Sequence, residues 1–363
     1  MGLYALRLVE GLPAVDRENT YIVYGPAKQL SSVCGKPNFL LRPTPSLPSP
    51  IWEQCVLPLW ASRDRLDLLH CPANTAPLRL PRQVKLVLTL HDVMFLLPPA
   101  LIPGVGTWRQ RIGRNYRRMV VPRVAARADR ILTVSDCSRS DILKYIRVDP
   151  SKIRVIYEGV GMNSDPASDG AGMPESLARI GAGTNFILAL GGYDPRKNTA
   201  AVIQSYASLR RSRAISEKLV VVGLPGWESS PFYRTVCQLG LAEDVVLTDY
   251  VTDGVLRWLY RSARCFLYPS LYEGFGFPPL EAMASGTPVV TSRVASVPEV
   301  VGDSALLVDP TSQQAIQEAL LQVLSDDALR GSLIERGCVR AASFRWESTV
   351  EQTLAVYREL LGN

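Results

Sequence analysis

Apolar residues recur at Leu3, Leu6, Val9 and Leu12, close to one helical turn apart, and Pro13 follows, so the chain is expected to open in an amphipathic helix over Met1 to Leu12. Short, continuously apolar runs then alternate with helical stretches. The runs at Tyr21–Tyr24, Phe39–Leu41, Leu68–Cys71, Lys85–Leu90, Arg130–Ser135 and Ile153–Tyr157 predict strands, and Trp52–Ser62, Trp108–Arg127 and Ser138–Ile146 predict helices. Hydrophobicity that is continuous within each run suits a parallel sheet covered on both faces, whose strands meet water on neither side. From Gly159 to Gly183 large apolar residues give way to Gly, Ser, Asp, Pro and Ala, a linker composition that predicts a domain boundary.

A second alternating series follows the linker. Strands are predicted at Phe186–Gly191, Lys218–Gly223, Val245–Tyr250, Cys265–Pro269, Pro288–Thr291 and Ala305–Val308, with helices at Asn198–Arg211, Pro231–Leu239, Gly254–Ser262 and Pro278–Ser285. Three more helices are predicted over 312–325, 327–342 and 346–361. The fold class is therefore α/β, with two doubly wound, Rossmann-like domains over 1–165 and 166–345. Such a pair makes a cleft between the carboxyl ends of its sheets, where open α/β folds bind ligands.

Length and composition agree with this picture and narrow the function. The 363 residues suit two domains, and 47% apolar with 20% charged residues argues against disorder, collagen or a coiled coil. No run reaches the roughly 18 uncharged apolar residues of a membrane span; Lys85 to Pro103 is interrupted by His91, Asp92 and prolines. The chain start has no charged region, apolar core and cleavage site in succession, so no signal peptide is expected. Seven cysteines without a C-x-x-C pair indicate neither a disulfide framework nor a zinc site, and fit a reducing cytoplasm. The net charge of +6 favours an anionic partner.

The most informative stretch runs from Ala263 to Pro310. A predicted strand ends at Pro269, the loop Glu273-Gly274-Phe275-Gly276-Phe277 follows, and Pro278-Pro279 opens a helix with Glu281 in its first turn. Prolines at a first turn lose no needed donor, and glycines before a helix let the backbone approach an anion that the helix amino end favours. The stretch reads as a phosphate cradle whose carboxylates, Glu273 and Glu281, could reach different ends of one elongated ligand. A G-x-G-x-x-G dinucleotide fingerprint after a strand is absent. Glycoside hydrolysis also uses paired carboxylates, but not inside a phosphate cradle.

The Glu273–Glu281 spacing, continued by Ala282 to Val290 and then Val297-Pro298-Glu299, resembles the family 4 glycosyltransferases of the GT-B fold. Nearly the whole chain shares the resemblance, through Thr133-Val134-Ser135, Ser138, Lys152-Ile153 to Gly159, Leu190 to Asn198, His91-Asp92 and Phe344-Arg345-Trp346. The resemblance implies a retaining enzyme that moves a hexose from a nucleoside diphosphate sugar to a glycan or lipid-linked acceptor. GDP-mannose is the first expectation and a UDP-sugar the second, with no metal and no cofactor besides the donor. It places Glu273 by the sugar and leaving diphosphate, with Gly274, Phe275, Gly276 and Phe277 offering backbone N–H groups. Glu281 would accept from the ribose, Lys197 would hold the diphosphate with Arg196 beside it, the base would sit near Tyr250 and Val251, and His91 would bond a donor sugar hydroxyl. His70 is expected to be structural. Residues 346–363 would form a helix returning to the first domain.

Two departures from that pattern stand out. Gly192 occupies a position where many members carry Arg, and the chain opens at Gly2-Leu3-Tyr4, inside the family's first glycine-rich loop, so the central strand of the first sheet is expected to be missing. The competing expectation is a non-catalytic nucleotide-sugar-binding remnant. Separately, the helix region 108–130 sets Arg109, Arg111, Arg114, Arg117, Arg118, Arg123, Arg127 and Arg130 against Asp129 alone, with Ile112, Tyr116, Met119, Val120 and Val124 at helical spacing. That pattern predicts contact with an anionic membrane surface, hence a cytoplasmic protein peripheral on the inner membrane face. No nucleic-acid-binding signature accompanies it.

Overall fold

The computed structural model describes residues 2–25, 35–98, 108–161, 183 and 185–362. Most of the linker expected over 159–183 lies outside these, as does the side chain of Arg109. In chain order the elements are α1 (Gly2–Val15), β1 (Tyr21–Gly25), β2 (Phe39–Pro43), α2 (Leu57–Arg63), β3 (Leu68–Cys71), β4 (Lys85–Leu90), α3 (Trp108–Arg127), β5 (Arg130–Thr133), α4 (Asp136–Tyr145) and β6 (Ile153–Val155). There follow β7 (Phe186–Leu190), α5 (Thr199–Arg211), β8 (Lys218–Val222), α6 (Pro231–Gln238), β9 (Val245–Thr248), α7 (Asp253–Ser262), β10 (Cys265–Tyr268), α8 (Phe277–Ala284), β11 (Val289–Ser292), α9 (Val297–Val301), β12 (Leu306–Val308), α10 (Gln313–Ser325), α11 (Asp327–Ala342) and α12 (Trp346–Leu361).

The chain divides into two compact units. The first comprises Met1–Leu97, Trp108–Gly159 and Phe344–Asn363, and the second is built on Val160–Ser343. Helix α12 belongs to the first unit because it is stitched to it: Thr349 Oγ1 donates to the Tyr157 carbonyl at 2.8 Å, and the Tyr357 hydroxyl meets His70 Nδ1 at 2.5 Å. His70 also bonds Thr89 Oγ1 through Nε2 at 2.7 Å, and burial pushes its pKa down to about 3, which keeps it a neutral core residue.

The second unit carries one parallel sheet of six strands, ordered β12-β11-β10-β7-β8-β9. Its central strands are apolar at successive positions, FILAL in β7 and CFLY in β10, because helices cover both faces. In the first unit the strands fall into two parallel groups, β3-β4-β5-β6 and the pair β1-β2. Between β1 and β3 lies a cavity of about 640 Å³.

Several boundaries differ from the sequence reading for local reasons. Helix α1 runs through Pro13 to Val15, and the Asp16 N–H still reaches the Leu12 carbonyl at 3.0 Å. Strand β5 stops at Thr133 because Ser135 is the cap of α4, its hydroxyl accepting from Ser138 N at 3.0 Å. Helix α8 starts at Phe277, one residue early, which moves Glu281 out of the first turn.

Candidate active site

Strand β7 ends in Gly191-Gly192, and a side chain at Gly191 would put Cβ 2.6 Å from Val221 Cγ1, so the strand ends close up only with glycine there. The chain then makes a single 3-10 turn, Pro195–Lys197, started by Asp194, whose Oδ1 accepts from Arg196 N at 3.0 Å. Asn198 follows in the left-handed region, φ 55°, with its side-chain amide donating to the carbonyls of Pro269 and Pro310 at 2.9 and 2.8 Å. Asn tolerates that backbone better than most residues. These two hydrogen bonds fasten the turn to the carboxyl ends of β10 and β12.

This placement brings Lys197 onto the end of β10. Its ammonium donates to the Tyr268 hydroxyl, lies 4.9 Å over the Tyr268 ring and sits 3.3 Å from Glu273 Oε1. The Tyr268 hydroxyl in turn donates to Glu273 Oε1 at 2.6 Å. Burial, reinforced by the Glu273 charge, drives the Tyr268 hydroxyl well above its usual range, so it stays protonated and donates in that one direction. Arg196 turns instead to Asp194, with contacts of 3.0 Å from Nε and 2.6 Å from the terminal nitrogen. Against burial, which pushes it up, the Arg196 hydrogen bonds hold the Asp194 carboxyl below its usual range.

The loop after β10 is clamped from above. Ser296 Oγ reaches the carbonyl oxygens of Glu273 and Phe275 at 2.8 and 2.7 Å, and Gly276 takes φ 118°, a conformation that favours glycine, before α8 begins. Glu281 is then held by a second buried tyrosine: Tyr260 OH donates to Glu281 Oε2 at 3.3 Å. Burial raises the Glu281 carboxyl from 4.5 to about 7. Both carboxylates are therefore tethered by buried tyrosine hydroxyls, and the two tyrosine rings pack on Phe266, with centroids 5.1 and 5.6 Å from its own. Just beyond β9, Tyr250 is 78% exposed and Val251 is half-buried.

His91 lies in the first unit, after β4. Its Nε2 lies 2.9 Å from the Pro72 carbonyl, and its Nδ1 is 2.7 Å from Glu158 Oε1. Its backbone N–H donates to Asn74 Oδ1 at 2.7 Å and its carbonyl accepts from Ser138 Oγ at 2.9 Å. Sequence reasoning missed Glu158, Tyr260 and Tyr268. Nothing in their local spacing marks them: Tyr260 and Glu158 meet side chains far away in the sequence, and Tyr268 joins Glu273, five residues on, to the distant Lys197.

Residues 1–163 match the family model described as glycosyltransferase family 4, and residues 178–339 the one described as glycosyl transferases group 1. Over 305 residues the chain is 36% identical to the O-antigen chain mannosyltransferase B of Escherichia coli, covering 83% of this chain and 77% of that protein. The chain belongs to glycosyltransferase family 4. This family 4 enzyme is also 32% identical to the MMP alpha-(1->4)-mannosyltransferase of Mycolicibacterium hassiacum, over 76% of this chain and 66% of that one. Among solved structures, WaaG, a glycosyltransferase involved in lipopolysaccharide biosynthesis, superposes with a TM-score of 0.70 at 20% identity, covering 98% of this chain and 95% of that one. Anabaena HepE in complex with UDP-glucose does so with a TM-score of 0.70 at 16% identity, over 98% and 95%. The fold is GT-B, and the protein is a hexosyltransferase.

Proposed function

We propose that this glycosyltransferase moves mannose from GDP-mannose, with retention, to a glycan or lipid-linked acceptor. The observation that carries the reading is the junction of Lys197, Tyr268 and Glu273 at the carboxyl end of β10, with Glu281 on the helix that follows. Ligands of open α/β sheets collect at that end. The mannosyltransferase names of the relatives support the sugar. As the glycosidic bond breaks, charge develops on the departing diphosphate, and Lys197 is the group to receive it, exchanging its contact with Glu273 for the phosphate. Glu281, ionised, accepts from the ribose hydroxyls, and the exposed ring of Tyr250 offers a face to the base. The charge comes from the protein, so turnover is expected to persist in excess EDTA. Complete loss in chelator with recovery in manganese would contradict this part.

A UDP-sugar donor is the second reading, favoured by the likeness to HepE, whose structure holds UDP-glucose. Melting curves with GDP-mannose and UDP-glucose decide between them: the donor raises the melting temperature and the other sugar does not. His91 enters the proposal as a sugar-hydroxyl partner that must give up Pro72 or Glu158 to act.

Among the described residues no helix is long and apolar enough to cross a membrane. The reading places α3 on an anionic bilayer from the cytoplasmic side. Four of its region's arginines serve the fold: Arg114 donates to the Phe95 and Leu97 carbonyls, Arg127 to Leu78 and Leu80, Arg123 to Met119 and Arg130 to Asp129. Arg111 and Arg118 instead share the exposed face with Ile112 and Met119, each 60% exposed, and with Trp108 at 65%. Cations beside large apolar side chains on one helical face suit a headgroup layer.

A further inference from the structure

Glu158 is a buried carboxylate that the donor chemistry above leaves unused. It follows β6 and is 1% exposed. Its Oε1 finds no hydrogen-bond donor elsewhere among the described residues and lies 2.7 Å from His91 Nδ1. Keeping a carboxylate so far from water is costly unless a cationic group faces it. His91 is the group that the fold sets there.

The backbone is pinned on both sides of this pair. Beside Glu158, the Tyr157 carbonyl accepts from Thr349 Oγ1 of α12 at 2.8 Å, and Gly159 is pressed so closely on α12 that a Cβ there would lie 2.2 Å from the Trp346 backbone nitrogen. The His91 N–H is bonded to Asn74 Oδ1 at 2.7 Å and its carbonyl to Ser138 Oγ at 2.9 Å, while its ring meets the Tyr4 ring nearly edge-on, with centroids 4.9 Å apart. All these residues belong to the first unit. The pair is therefore a fixed feature of that unit.

The same contacts decide what the ring carries. Nδ1 faces a carboxylate, and Nε2 faces the Pro72 carbonyl at 2.9 Å. Both are acceptors, and a neutral imidazole has an N–H for only one of them, so it would turn a lone pair on the other. With a proton on each nitrogen both contacts are attractive, and the ring answers the Glu158 charge. The neighbouring titratable groups leave that pairing alone. Burial lifts the Tyr4 hydroxyl to about 12, and burial, then the His91 charge, push His70 down to about 3, so both are neutral; Asp92 accepts from the Met94 N–H at 3.0 Å. The two ring contacts are unequal. A contact between charged partners is stronger than one to a neutral carbonyl, and Pro72 is half-buried, so water can replace the ring at its carbonyl.

We infer that Glu158 is the positioning residue of His91: it holds the ring through Nδ1 as a doubly protonated donor, and the Nε2 proton is the one that leaves Pro72 for the sugar hydroxyl. No proton changes hands; one hydrogen bond is exchanged for another. The inference rests on the reading of His91 as a sugar-hydroxyl partner.

The chain has two histidines, so the ring-nitrogen resonances of isotope-labelled histidine test this directly, those lost in His91→Gln belonging to His91. At about pH 7 the parent shows both His91 nitrogens protonated and His70 with a single ring proton. In Glu158→Gln, which keeps the shape and removes the charge, one His91 nitrogen loses its proton. Calorimetry with GDP-mannose and with GDP then isolates the sugar, or with UDP-glucose and UDP if that donor is the one that raises the melting temperature. Glu158→Gln weakens the nucleotide sugar about tenfold and leaves the nucleotide unchanged, and in the His91→Gln background it adds less than about twofold. His91 resonances identical in the parent and Glu158→Gln overturn the inference. Equal losses for nucleotide sugar and nucleotide, or additive losses in the double variant, do so too. Should Glu158→Gln not fold, the parent decides: a single ring proton on His91 overturns the inference, and two protons with an Nε2 resonance that moves on adding the nucleotide sugar but not the nucleotide support it. Resonances that respond to the substitution while neither variant changes nucleotide-sugar affinity contradict the His91 reading itself, and the inference falls with it.

Discussion

The two units solve the same architectural problem with different completeness. In the second, six parallel strands make one unbroken sheet, and the strand ends deliver Lys197 and Glu273 to one point with a buried tyrosine between them. In the first, the strands form a pair and a foursome flanking a cavity, and His91, the one candidate there, has its ring held by Pro72 and Glu158. The difference teaches that an unbroken sheet is what converts strand order into a rigid constellation. Where the sheet is interrupted, the candidate histidine is tied to the Pro72 carbonyl instead.

The sharpest way to break this comparison is a matched truncation of one leucine in each sheet. Leu219→Ala in β8 removes a fully buried side chain from the unbroken core and is expected to cost about 3–5 kcal/mol. Leu69→Ala in β3, whose side chain already borders the cavity, is expected to cost about 2 kcal/mol or less, because it forfeits fewer neighbours. Urea denaturation measures both. Equal losses would mean that the first sheet is as well packed as the second.

Next in size is Lys197→Ala, which removes the cation that faces the diphosphate. Turnover is expected to fall about 100- to 1,000-fold, with little change in melting temperature since the side chain is partly exposed. A loss under about fivefold would move the electrostatic centre elsewhere.

Glu281 gives a smaller, pH-dependent effect. Burial holds its carboxyl near 7 instead of 4.5, so across that window the folded chain keeps a proton that the unfolded chain has released. Its contribution to stability therefore declines as pH rises from about 4.5 to about 7. Donor binding runs the other way, since only the ionised carboxylate accepts two ribose hydroxyls. Affinity is expected to rise between pH 6 and pH 8, and in Glu281→Gln to become weaker and flat with pH. Calorimetry at the two pH values checks this, and an unchanged pH dependence in the variant would remove Glu281 from the donor site.

The smallest effect belongs to the first unit. Replacing Arg111 and Arg118 together by Gln is expected to weaken binding to anionic vesicles by about 1 kcal/mol per residue at low salt. Arg114 is unsuited to this test because it holds the Phe95 and Leu97 carbonyls. Co-sedimentation equal to that of the parent would make α3 a solvated face.

Most of this was legible in the sequence wherever the signal is local. Continuous apolar runs marked the strands, the glycines at 274 and 276 marked the loop before α8, and the Glu273–Glu281 spacing marked the family. The clamps were not legible. Tyr268 to Lys197, Tyr260 to Glu281 and His91 to Glu158 join residues separated by many positions, and a buried tyrosine at the end of an apolar strand looks like any other core residue. The pairing of Arg196 with Asp194 was also unread: in a P-R-K-N string the arginine looks available, yet the 3-10 turn folds it back onto the residue that caps the turn.

The central claim is that the second unit, through Lys197 and Glu281, holds the nucleoside diphosphate sugar. Calorimetric titration with whichever of GDP-mannose and UDP-glucose raises the melting temperature tests it most directly, using the parent, Lys197→Ala, Glu281→Ala and the Arg111→Gln, Arg118→Gln pair. Each site variant is predicted to bind at least about tenfold more weakly, as the loss of a charge-assisted contact requires, while the arginine pair binds like the parent. Parent-like affinity in both site variants would contradict the account.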